Sequence, residues 1–67
     1  MAIDKSAWER GCCAMTYQAP VNARGETVLL TRSYGAEQTR VEIYGPDNRL
    51  IGEAQMLPNA EAEALVG

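Results

Sequence analysis

The chain has 67 residues, 46% of them apolar, and a net charge of −3, which limits it to a single small domain over residues 1–67 and sets disorder aside. A sequence pI near 4.7 argues against a general binder of nucleic acid or anionic membrane, since both are met with a basic surface. With no Phe and one Trp, the core has to come from Val, Leu, Ile, Met and Ala, joined by Trp8 and a Tyr.

The first five residues, Met1 to Lys5, lack the apolar centre of a signal peptide. No apolar run is long enough to span a bilayer, so a cytoplasmic protein without membrane contact is expected. Ser6 and Glu9 stand at capping-box spacing. Trp8, Cys12 and Met15 follow at i, i+4 and i+7, which predicts a helix over about 7–15. Gly11 weakens it, because glycine costs up to about 1 kcal/mol in a helix interior. The competing pattern ends the helix at Arg10, breaks the chain at Gly11 and starts a strand at Cys12. Cys12 and Cys13 are neighbours, and a disulfide between them would be strained. Reduced thiols are expected, one buried as a small apolar group and one partly exposed.

Ala19 to Gly25 reads as a connector, with Pro20, Asn22 and Gly25 suited to turns. Three strands follow, over about 26–32, 38–44 and 49–56. The middle one is the clearest, since Thr39, Val41 and Ile43 alternate with Arg40, Glu42 and Tyr44. Ser33 to Glu37 and Gly45 to Asn48 supply the turns. A loop of Ser33–Glu37 places Arg32 opposite Gln38 and Leu29 opposite Val41. The second turn places Tyr44 opposite Arg49 and Arg40 opposite Glu53. Leu29, Val41, Ile43, Leu50 and Ala54 then line the buried face. Gly52 marks a bulge or a close contact in the last strand. Asn59 reads as the N-cap of a short helix over about 60–66, with Glu61 in its first turn and Ala62, Leu65 and Val66 docking on the sheet.

The expected fold class is therefore α+β: a three-stranded antiparallel β-meander flanked by a helix from each end. The alternative is a four-stranded antiparallel sheet with one C-terminal helix.

The inventory for chemistry is thin. The absence of His removes the commonest general base and a common metal ligand. Two adjacent cysteines do not make a zinc site, Ser6 and Ser33 have no activating partner, and no phosphate-binding glycine motif occurs. Glu42 and Glu53 read as solvated carboxylates. No catalytic residue, metal or cofactor is expected, and the chain reads as no enzyme. On the predicted register, the outer face carries Val28, Leu30 and Ile51 among Arg40, Glu42, Tyr44, Arg49 and Glu53, with Val28, Leu30, Arg40, Tyr44, Arg49 and Ile51 as the candidate contact residues. Apolar groups ringed by Arg and Tyr are the composition of a partner-binding surface. A small non-enzymatic protein-binding module or stoichiometric inhibitor is expected, directed at a larger host protein or complex. Phage and mobile-element accessory proteins, including anti-CRISPR proteins, work in this mode, although no motif places the chain among them. The alternatives are a structural homodimer or assembly subunit and a weak nucleic-acid-binding accessory protein. In the last, Arg24, Arg32, Arg40 and Arg49 would form a stripe, but interleaved acids argue against it.

Overall fold

The computed structural model describes residues 5–21 and 23–66; Asn22, expected in a turn, lies outside them. A 3₁₀ turn at Lys5–Ala7 leads into β1 (Glu9–Arg10), β2 (Ala14–Pro20), β3 (Thr27–Ser33), β4 (Gln38–Tyr44), β5 (Gln55–Pro58) and α1 (Asn59–Ala64). The strands form one antiparallel sheet in the order β1-β2-β3-β4-β5. The expected three-stranded α+β arrangement with a helix at each end is therefore wrong. The antiparallel sheet with one C-terminal helix is right in kind, with five strands in place of four.

The N-terminal helix over 7–15 does not form. A free-standing helix of that length is marginal in water, and Gly11 lowers its stability further. The competing strand gains seven backbone pairings with β3, from Ala14–Ser33 to Pro20–Thr27, and Met15, Thr16 and Tyr17 suit a half-buried strand. Gly11 becomes the start of a tight β1–β2 turn, its N–H donating to the Ala14 carbonyl at 2.8 Å.

The middle of the sheet follows the predicted meander but with its register shifted by one residue. Leu30 faces Val41, Val28 faces Ile43, and Leu29 faces Glu42. β3 runs through Ser33, and the turn closes with the Ala36 N–H donating to the Ser33 carbonyl at 3.0 Å. Gly35 supplies the positive φ of +78° that the third position of this turn demands. Because side chains alternate across a strand, this single step exchanges the two faces of β3. Val28 and Leu30 point into the core and are fully buried. Thr39, Val41 and Ile43 keep the inward face predicted for them.

The third expected strand is mostly irregular. The Gly45–Asn48 turn forms, with the Asn48 N–H donating to the Gly45 carbonyl at 2.9 Å and Asn48 at φ 64°. Pairing then stops after a Tyr44–Leu50 bridge and resumes at Val41–Gln55. Residues 51–54 thus stand against residues 42–43, a wide bulge in which Gly52 has φ +71°. The bulge overturns the other predicted pairings. Arg40 faces Met56, Tyr44 faces Leu50, and Glu53, Leu50 and Ala54 are exposed.

One face of the sheet is covered. Trp8, Val28, Leu30, Val41 and Ala62 form the buried core, with Met15, Tyr17, Ala19, Ile43, Leu57 and Val66 packed around them. Trp8 lies over Tyr17 with ring centroids 5.7 Å apart. The Arg32 guanidinium sits 4.7 Å from the Trp8 ring, a cation–π contact inside the fold. Arg32 Nε donates to Thr39 Oγ1 at 2.8 Å, and Thr39 Oγ1 donates to Asn59 Oδ1 at 2.8 Å. Arg32 also reaches Glu63 on α1 at 3.3 Å. This chain of polar contacts ties α1 to the sheet. It also explains why Asn59 is not the N-cap, a position taken by Pro58. The Asn59 amide is held by Thr39 and the Ala36 carbonyl, and its backbone N–H by the Glu37 carbonyl. Ala62 and Val66 dock as predicted, whereas Leu65 is exposed. Among the described residues, no helix is long and apolar enough to cross a membrane.

Candidate functional site: the open face of the sheet

Among the described residues, nothing covers the second face. Three cross-strand rows build it. Glu9, Thr16, Thr31, Arg40 and Met56 form the first; Gln18, Leu29 and Glu42 the second; Pro20, Thr27, Tyr44 and Leu50 the third. Its large apolar groups are Leu29, half-buried at the centre, with Leu50 at 42% and Met56 at 56% exposure.

A polar triad crosses the middle. Glu42 is only 9% exposed, so the expectation of a solvated carboxylate fails here. Its Oε2 accepts from the Tyr44 hydroxyl at 3.0 Å and from Arg40 Nη2 at 3.5 Å. Arg40 fixes its own β4 neighbour in this way rather than Glu53. The hydrogen bond to Glu42 raises the Tyr44 pKa above the ordinary phenol value, helped by desolvation and the Glu42 charge and opposed by Arg40. A raised pKa means that this stabilisation is complete below pH 10 and is lost as pH climbs through the folded-state value. In an ultraviolet pH titration, one tyrosine should therefore ionise above the range of a free phenol. Tyr44→Phe should remove that component.

Of the six residues predicted to bind a partner, only Arg40 and Tyr44 belong to this face, and Glu42 brings them together. Val28 and Leu30 are in the core at 0% exposure. Arg49 is exposed in the β4–β5 turn, where it pairs with Asp47 at 3.8 Å. Ile51 is exposed at the start of the bulge, where its N–H donates to the Ile43 carbonyl at 2.7 Å. Leu29 and Leu50, expected in the core, and Met56 were missed; Glu42 was expected on this face but not as part of the site. The run Val28-Leu29-Leu30 is apolar in either phase, and Met56 needed the bulge to be placed.

The edges of the sheet are less open than its face. In an antiparallel ladder, alternate residues direct their backbone groups to the same neighbour. The Val21 N–H bonds to Glu26 and the Asn59 N–H to Glu37, so Pro20 and Pro58 occupy outward-directed positions. Each lacks the N–H that an added strand would use, a common protection of edge strands.

The possible basic stripe dissolves into pairs. Arg24, Arg32, Arg40 and Arg49 lie 3.6, 3.3, 3.5 and 3.8 Å from Glu26, Glu63, Glu42 and Asp47. Among the described residues, no cluster of three or more His, Cys, Asp or Glu side chains could hold a metal ion. No protein-family model, curated protein or solved structure matches the chain.

Proposed function

We propose that the chain is a non-enzymatic assembly subunit whose open sheet face is covered by a second copy of itself. The uncovered face carries this reading. The composition also suits self-association. Leu29, Leu50 and Met56 supply apolar area, and Arg40 and Glu42 offset each other. Two copies, each carrying −3 overall, would thus meet at a charge-balanced centre, with Glu9 at the β1 edge of the face. Edge-to-edge pairing is disfavoured by Pro20 and Pro58, which leaves face-to-face stacking of the sheets.

Sedimentation equilibrium from micromolar to near-millimolar protein tests the proposal. The expected result is a dimer that Leu50→Lys with Met56→Lys converts to a folded monomer. A wild-type chain that stays monomeric throughout would overturn it. Capture of one stoichiometric protein on that face would then favour a binder or inhibitor of a different partner.

A further inference from the structure

The β1–β2 turn presents both cysteines of the chain to solvent, contrary to the expectation that one is buried. Free cysteine is among the most buried residue types, so two exposed side by side are unusual. Their Sγ atoms are 3.2 Å apart. The turn beneath them is fixed by the Gly11 N–H to Ala14 carbonyl bond at 2.8 Å and by the Tyr34 hydroxyl, which donates to the Gly11 carbonyl at 2.6 Å.

We propose that Cys12 and Cys13 form a chelating dithiol site for trivalent arsenic. Adjacent Cα atoms lie about 3.8 Å apart across a trans peptide, below the usual ~4.4 Å minimum for a disulfide. Oxidation to a bridge is thereby strained, and the pair remains available as thiols. Soft thiolates select soft acceptors. With a sulfur bond of about 2.3 Å, a 3.2 Å bite subtends roughly 90° at the bound atom. That angle suits a pyramidal three-coordinate centre. Tetrahedral zinc would want sulfurs roughly 3.8 Å apart and two further ligands, and no cluster of three or more such ligands exists among the described residues. In the reaction with arsenite, each thiol proton leaves with an arsenic-bound hydroxide as water. Two As–S bonds replace two As–O bonds without a change in oxidation state, and the third position keeps hydroxide or takes an external thiol.

Intact-mass spectrometry of the reduced protein with phenylarsine oxide, and separately with arsenite, tests this site. The expected product is a one-to-one adduct that survives millimolar glutathione and is stripped by a small dithiol. Cys12→Ser and Cys13→Ser, checked for folding by circular dichroism, should each lose it. No adduct, an adduct stripped by glutathione, or one retained by either single variant would overturn the proposal.

Discussion

Trp8→Ala should leave most of the chain unfolded at 25 °C. Trp8 is buried on the covered face, in a tilted ring contact with Tyr17 and beneath the Arg32 guanidinium. Truncating a buried Trp costs about 3–5 kcal/mol. A chain of this length holds roughly 3–10 kcal/mol in total, so one substitution removes much or all of it. The mechanism is specific. Trp8 is the largest cover over β2, and without it Arg32 loses its aromatic partner while still tied to Thr39 and Glu63. Urea unfolding followed by far-ultraviolet circular dichroism at fixed protein concentration would measure the effect. Trp8→Phe, which keeps an aromatic cover, should lie between wild type and alanine. A Trp8→Ala protein with an unchanged midpoint would mean that the N-terminal segment does not cover the sheet.

The second large effect separates two adjacent leucines. Leu30→Lys should abolish folding, because it buries a charge at a position with no solvent access and no acidic partner opposite, where Val41 stands. Leu29→Lys should fold, since Leu29 is on the open face directly opposite Glu42. A cross-strand pair of opposite charge there changes stability by no more than about 1 kcal/mol. Proton NMR dispersion, with the thermal midpoint, would distinguish the two variants. The reverse outcome would restore the register in which Leu29 faces Val41. Leu29→Lys should also weaken self-association, since it puts a cation at the centre of the open face.

The contrast between these leucines marks where the sequence stops being informative. β4 is legible because its alternation is unambiguous: Thr39, Val41 and Ile43 on one side, Arg40, Glu42 and Tyr44 on the other. β3 is not, because Val28-Leu29-Leu30 offers an apolar residue in either phase. The loop length chosen for residues 33–37 then decided the face, and a one-residue error turned two core residues into surface candidates. The N-terminal segment failed for a related reason. Capping-box spacing and an i, i+4, i+7 pattern are local signals, and they cannot register the seven pairings that β3 provides to β2.

By itself, the sequence determined the antiparallel pairing of the central strands, the inward face of β4, the turn at Gly45–Asn48 and a short C-terminal helix docked through Ala62 and Val66, and it marked Gly52 as a bulge or a close contact, of which the bulge forms. These follow from side-chain period and from residues with restricted or permissive backbones, which act within a few residues of chain. Only the tertiary structure decided the phase of β3, the strand identity of Ala14–Pro20, the burial of Glu42 between Arg40 and Tyr44, and the exposure of both cysteines. Each depends on what lies opposite in space: Val41 opposite Leu30, β3 opposite β2, a bulge opposite Glu42, and a solvent-facing turn at Cys12-Cys13. Hydrophobic burial and ladder pairing are long-range terms, and they outweigh local propensity wherever the two disagree.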